Sequence, residues 1–508
     1  MTEYRFRIKP RSARQVRNDK LNIIMKKLKI VHIASEVAPF SKTGGLGDVT
    51  RSLPKATKRL GHDVMIISPL YGQNIDKEEY NLKLVFSNVK LSLNSVDSVV
   101  VNFWKGYAME GLPVYFVENI KYFSRYKRIY GSTHENVRFL VFDIAALKLL
   151  SLLKYKADII HCHDWQTGLI PYYLKKDFRY SKTLKKAKTI FTIHNLVFQL
   201  GHNWWEIPVK ERDYGHSRIP HITDPRVENI NFAKRAIFSA DIINTVSEQY
   251  RSEIMTARFG QDLNRILKNR ADRLFGIING IDYNTYNPEK DEDLFKNYNH
   301  EKIKIKAENK KWLQKKVGLP LEPQVPIFCS TSRISWQKGY DLIVKVLDQL
   351  LHLDIQFIFM GDGAKEYTSA LKKFAKKYPK KVALLPFNQK LETSIYAGSD
   401  FFILPSHYEP CGINQLIAMR YGCIPIVHEV GGLYDTVTNY NPTTKTGTGF
   451  TFKHSDEFNF YGAVVRGVEN YKRQDAWQHL MVKAMQVSSS WEIPAKKYIK
   501  LYRKALNL

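Results

Sequence analysis

The sequence is poor in cysteine: Cys162, Cys329, Cys411 and Cys423 lie scattered along 508 positions. They form no C-x-x-C pair and no His/Cys cluster at metal spacing. That excludes a disulfide framework and a structural zinc site, implies no bound metal, and points to a reducing, cytoplasmic setting. Cys162, within Ile159-Ile160-His161-Cys162-His163, reads as a small buried strand residue. Apolar runs are short as well. None approaches the roughly 20 residues of a membrane-spanning helix, so no membrane association is expected. The N-terminal stretch lacks the apolar segment of a secretory signal. Residues 1–27 read as an extension, either disordered or an artefact of start-site choice, with Met25 resembling a natural start.

Acidic residues are the other shortage, 49 against 78 Lys and Arg, for a formal charge of +29. Such a surface attracts nucleic acid, anionic membranes or small anions. The cations are dispersed, as in Lys185-Lys186-Ala187-Lys188 and Lys372-Lys373-Phe374-Ala375-Lys376-Lys377, without a nucleic-acid-binding motif. They read as solvated helix faces, part of which steers an anionic donor, and no nucleic-acid partner is expected.

Length and apolar content then set the architecture. A chain of 508 residues with 44% hydrophobic residues exceeds one ordinary core, so two domains are expected. Nearly continuous apolar runs mark strands at Lys29–Val37, Asp63–Leu70, Pro113–Glu118, Asp158–His163, Thr189–His194 and Asp241–Val246. A second series follows at Pro326–Cys329, Ile355–Met360, Val382–Pro386, Asp400–Leu404 and Ile424–Val427. Runs of this kind suit parallel strands covered on both faces. The expected organisation is α/β: two doubly wound Rossmann-like domains, residues 28–276 and 277–487, facing an interdomain cleft. The segment Gly276–Pro288 is the expected hinge, and residues 488–508 form a C-terminal helix docking back on the first domain.

Several runs end in polar residues at the edge where open α/β sheets bind ligands. Ser41-Lys42-Thr43-Gly44-Gly45-Leu46-Gly47-Asp48 follows the first run and precedes a helix. Its glycines admit a close backbone approach to a diphosphate, the helix N-terminus favours negative charge, and Lys42 adds a full positive charge. Alone, this turn is neither G-x-G-x-x-G nor a Walker loop, and a plain strand-to-helix turn explains it equally well. In the second series, Ser332-Arg333-Ile334-Ser335-Trp336-Gln337-Lys338-Gly339 offers two cations for a leaving diphosphate. His407-Tyr408-Glu409-Pro410-Cys411-Gly412 offers a carboxylate suited to sugar chemistry.

Taken together, these motifs resemble the glycogen/starch synthase family of retaining glucosyltransferases, which have a glycosyltransferase-B fold. The resemblance runs from Lys29 to the C-terminus. It also includes His161-Cys162-His163-Asp164-Trp165, Phe191-Thr192-Ile193-His194-Asn195, Asn279-Gly280-Ile281-Asp282 and Gly431-Gly432-Leu433 with Asp435-Thr436-Val437. It implies glucose transfer from ADP-glucose to an α-1,4-glucan acceptor, with no cofactor. Glu409 matches the family's carboxylate on the donor sugar, Arg333 and Lys338 the diphosphate clamp, and Asp164 and His194 residues near the transferring glucose. Lys42, Gly44, Gly45, Asp48, Asn195, Cys411, Gly412, Ile413 and Asn414 complete the implied substrate-binding set.

Two departures stand out. Ile413-Asn414-Gln415 replaces the usual Leu-Thr-Gln, and Glu429-Val430 stands where an Arg-Thr pair is common. In the acceptor region Gln199–His221, Trp204-Trp205 reads either as a glucan-stacking pair or as a packed loop. Two rival readings stay open: a UDP-glucose donor or different acceptor, and a non-catalytic basic protein holding glucan or nucleic acid. A glucan phosphorylase is disfavoured, because no motif for a pyridoxal-phosphate lysine is present.

Overall fold

The computed structural model describes residues 26–93, 98–132, 134–199, 201 and 204–508. The expectation for the N-terminal extension therefore falls almost wholly outside the described residues.

The first sheet has nine strands: β1 (Lys29–Ile33), β2 (Asp63–Pro69), β3 (Lys83–Ser92), β4 (Ser98–Ala108), β5 (Leu112–Glu118), β6 (Ile159–His163), β7 (Lys188–Ile193), β8 (Ile242–Thr245) and β9 (Leu274–Gly276). Their order is β3-β4-β5-β2-β1-β6-β7-β8-β9, parallel except where β4 pairs with β3 and β5. The second sheet is wholly parallel: β10 (Ile327–Ser330), β11 (Gln356–Met360), β12 (Val382–Leu385), β13 (Phe401–Leu404), β14 (Ile424–His428) and β15 (Phe450–Phe452). Its order is β12-β11-β10-β13-β14-β15.

Central strands such as β6, β10 and β13 are buried along their whole length, which is why they read as unbroken apolar runs. The β3–β4 hairpin is different. It lies at the sheet edge, β3 is mostly exposed, and Lys, Asn and Ser interrupt its apolar residues. No continuous run marks it, so the all-parallel expectation for this half needs correcting to a mixed sheet.

Two separate cores follow. One joins residues between Leu28 and Ile277 with residues between Trp491 and Ala505; the other lies between Ile281 and Met485. The last helix, Glu492–Leu506, buries Tyr498, Leu501 and Tyr502 against the first sheet and leaves Ile493 exposed. Its two tyrosine hydroxyls meet polar strand residues: Asn244 Nδ2 donates to Tyr498 at 2.9 Å, and His161 Nδ1 lies 2.8 Å from Tyr502. The chain thus crosses between the cores twice, and Ile281 N–H donates to Ser489 O where the crossings run side by side. No described helix is long and apolar enough to cross a membrane.

In each sheet the strand order reverses once beside its first strand, between β1 and β6 and between β10 and β13. At such a point two loops diverge and leave a crevice beyond the strand C-termini. The loops after these four strands carry the motifs singled out above.

Candidate active site

In the first crevice the loop after β1 is held from below by Glu36. Its buried carboxylate accepts from Thr43 N–H (2.5 Å), Thr43 Oγ1 (2.7 Å) and Tyr130 OH (2.6 Å). These bonds pin the loop just ahead of the helix Gly45–Arg59, whose N-cap, Gly44, makes no side-chain cap. A Cβ at Gly44 or Gly45 would meet no atom of the chain within 4 Å, and neither residue has positive φ. Neither packing nor backbone strain therefore calls for glycine here. Gly47 is tight: a Cβ there would stand 3.2 Å from Ser41 O and Lys42 Cβ. Lys42 is paired with Asp48 at 2.8 Å. Burial raises the Glu392 carboxyl on the second domain, with Lys42 and Asp48 acting on it in opposite directions, so this loop faces that domain.

The loop after β6 begins with Asp164 at φ 59°, ψ 174°, a conformation close to glycine-only that costs on the order of 1–3 kcal/mol. The strain is held by bonds to Asp164 Oδ1 from His194 N–H (2.8 Å) and Gln199 Nε2 (2.7 Å). Burial pushes the Asp164 carboxyl up to about 7, with these two bonds opposing. His194, at the end of β7, lies 3.0 Å through Nε2 from His163 Nδ1, and His163 Nε2 lies 3.0 Å from His32 Nδ1. Burial depresses all three rings, so this chain is neutral at pH 7. Asn195 is turned to a local task, its Oδ1 accepting from Val197 N–H at 3.2 Å.

His32, His161 and His163 bring ring nitrogens within 4.8 Å of one another, the closest approach to a metal set among the described residues. The geometry suits hydrogen bonding better. His161 and His163 are stacked at 4.1 Å and 24°, so their in-plane lone pairs run side by side. His161 is also engaged by Thr192 Oγ1 (2.6 Å) and Tyr502.

In the second crevice Glu409 is buried at the turn after β13. Lys338 Nζ (2.6 Å) and Ser406 Oγ (3.0 Å) both donate to its Oε2. Arg333 is exposed and without a hydrogen-bond or ion-pair partner among the described residues. Cys411 is buried, its thiol pushed up to about 12 by desolvation, so only its backbone is available to a ligand. Gly412 turns at φ 67°, which favours glycine, and Ile413 caps the short helix Asn414–Arg420. The Asn414 side chain does not reach outward with its amide; Nδ2 donates to Thr331 O at 3.0 Å.

The structure thus gathers Lys42, Gly44, Gly45, Asp48, Asp164 and His194 at one reversal point. It gathers Arg333, Lys338, Glu409, Cys411, Gly412, Ile413 and Asn414 at the other. Asn195 follows His194 but is occupied. The Trp204-Trp205 pair is divided: Trp204 is buried beneath Arg212 and Lys234, and Trp205 is 60% exposed. The motifs gave Glu36 no role beyond its place at a strand end.

Residues 29–269 match the model of the family described as the starch synthase catalytic domain, and residues 313–479 that of glycosyl transferases group 1. Glycogen synthase 2 of Geobacter sulfurreducens is 39% identical over 487 residues, covering 94% of this chain and 99% of that protein. Glycogen synthase of Thermotoga maritima is also 39% identical, over 490 residues with the same shares. Among solved structures, the catalytic domain of Arabidopsis thaliana starch synthase IV bound to ADP and acarbose superposes with a TM-score of 0.83. It is 34% identical, and the match covers 95% of this chain and all of that one. Sucrose-phosphate synthase of Thermosynechococcus elongatus, 17% identical with a TM-score of 0.59, shares the glycosyltransferase-B fold.

Proposed function

The chain belongs to the glycogen/starch synthase family, and on that premise we propose that it transfers glucose from ADP-glucose to the non-reducing end of an α-1,4-glucan with retention of configuration, in the cytoplasm. The observation that carries the reading is the facing of two crevices. One has an open glycine turn at a helix N-terminus; the other has the Lys338–Glu409 pair and, on the same loop as Lys338, an exposed Arg333 with no partner among the described residues. A ligand approaching closely accounts for glycine at positions 44 and 45, where the chain itself does not. The starch synthase IV neighbour, bound to ADP and acarbose, supports a donor with an adenine base.

In this reading Arg333 and Lys338 stabilise the charge developing on the leaving diphosphate, and the turn at Lys42 holds its far side. The bond from glucose C1 to the phosphate oxygen breaks, and the acceptor's 4-hydroxyl oxygen bonds to C1 from the same face. Its proton passes to the departing phosphate, so the protein supplies alignment and field rather than a nucleophile. Glu409, its Oε2 already bonded twice, orients the donor and stabilises positive charge on the sugar. Asp164 and His194 line the glucose.

Glu409→Ala is expected to lower kcat by about a thousandfold with the fold retained. Transfer at near wild-type rate would remove Glu409 from the site. Competition between ADP-glucose and UDP-glucose tests the donor; a lower KM with higher kcat for UDP-glucose would overturn the adenine reading.

A further inference from the structure

His407 precedes Glu409 by two positions and has no part in the chemistry just described, yet it is joined to four other residues. Its backbone N–H donates to Gln337 O at 2.9 Å. Its Nε2 lies 2.9 and 3.1 Å from the two Asp341 oxygens, and its Nδ1 lies 2.7 Å from Ser455 Oγ. Trp336 stacks on its ring at 4.2 Å and 16°. Three of these partners, Trp336, Gln337 and Asp341, surround Lys338 in sequence.

The arrangement answers a geometric problem. Lys338 and Glu409 sit on two loops leaving different strands, β10 and β13, and neither loop is regular structure through its length. The loops touch at Gly339, where a Cβ would stand 2.1 Å from Pro405 O, and this contact fixes how closely they approach. With the bond from His407 N–H to Gln337 O it ties the two backbones locally, which leaves the loops free to pivot about that point. Hydrogen bonds from one ring in two directions, to the first turn of the helix Tyr340–Leu350 and to the segment after β15, remove that freedom. The stacked indole sets the tilt of the ring.

We propose that His407 is a positioning residue for glucosyl transfer, locking the register of the Lys338 loop against the Glu409 loop through Asp341 and Ser455. The inference rests on the reading of Lys338 and Glu409 as diphosphate clamp and donor-sugar carboxylate. Nε2–H donates to Asp341 while Nδ1 lies within hydrogen-bond distance of Ser455 Oγ, so both ring nitrogens are engaged at once. A displacement of about 1 Å in such a constellation costs on the order of a hundredfold in rate.

The test is a steady-state comparison of His407→Ala, His407→Leu and His407→Gln, with Glu409→Ala in parallel and thermal midpoints for each. His407→Ala and His407→Leu are expected to lower kcat about 30- to 100-fold while the donor KM moves less than about threefold. His407→Gln can donate to Asp341 and accept from Ser455, and is expected to recover to within about fivefold of wild type. Asp341→Ala is expected to match His407→Ala, and the double variant to be no worse than either, because both remove one device. If His407→Ala does not fold, Ser455→Ala and Asp341→Asn each alter one bond and are expected to lower kcat several-fold at unchanged midpoint. Full kcat in folded His407→Leu, or in both of those milder variants, would overturn the proposal. Loss in His407→Gln equal to that in His407→Leu would do the same, reducing the ring to packing. An active Glu409→Ala would instead overturn the reading of the site itself, so the two failures are distinguishable.

Discussion

Asp164 joins several conflicts in one residue: a strained backbone, a half-buried carboxyl and two donors on the same oxygen. Its carboxyl titrates at about 7 in the fold against roughly 3.9 in an unfolded chain. The folded state therefore favours the protonated form. Stability from this group is complete below pH ~4 and is lost as pH rises through 7. Asp164→Asn keeps the shape and removes the charge. It should leave stability at pH 4 unchanged and raise it at pH 8 by about 1–2 kcal/mol, below the ~4 kcal/mol of full desolvation because the side chain is partly exposed. Denaturant unfolding at both pH values checks this, and equal curves for wild type and variant at pH 8 would refute it. Activity should fall in the same variant, about tenfold or more, where donor glucose loses a charged neighbour. Lys42→Ala should chiefly raise the donor KM, about tenfold, measured against an unchanged midpoint. The sequence made Asp164 and Lys42 legible because they stand inside compact motifs. Glu36 carried less signal, since its work is to hold Thr43 from beneath, and no local pattern distinguishes that from a solvated strand end.

At the scale of elements, two short helices from different domains cap each other. Asp435, on Gly431–Thr436, accepts from Glu248 N–H (2.7 Å) and Gln249 N–H (3.0 Å) at the start of Glu248–Glu253. Glu253, at the end of that helix, accepts from Gly431 N–H at 2.9 Å, at the start of the other. Each carboxylate meets the positive end of the partner's dipole. No sequence pattern announces this, because the partners lie 178 to 187 positions apart. Apolar runs did announce the central strands, but not the β3–β4 hairpin or the three-residue strands β9 and β15. Gly431 is tied to the Glu409 turn as well: its φ is 46°, and a Cβ there would stand 2.0 Å from Glu409 O. Gly431→Ala should therefore push the Glu409 loop aside and lower kcat at least a hundredfold, with a stability loss of about 1–3 kcal/mol. A variant with normal kcat would show that this contact is yielding rather than rigid.

At the scale of the whole molecule, the halves are joined by the reciprocal caps and also by Lys55 with Asp282, 2.9 Å apart and with Lys55 4% exposed. Lys55 belongs to the helix that starts at the glycine turn, and Asp282 lies at the first crossing between the cores. At the same place a Cβ on Gly280 would stand 2.6 Å from Trp491 N on the second crossing. The two crossings thus pack against each other, and a swing of one half about them would part the caps. Donor phosphates held between Lys42 on one half and Arg333 on the other would resist that opening. Removing both caps in Glu253→Ala/Asp435→Ala should therefore enlarge the radius of gyration of the free enzyme, and saturating ADP should reverse most of the change. Wild type should respond to ADP less, because its caps already favour closure. Small-angle scattering of both proteins, with and without ADP, reads this directly. An unexpanded double variant would place the restraint in the Lys55–Asp282 hinge alone, and an expanded one that ignores ADP would show that the nucleotide does not bridge the halves.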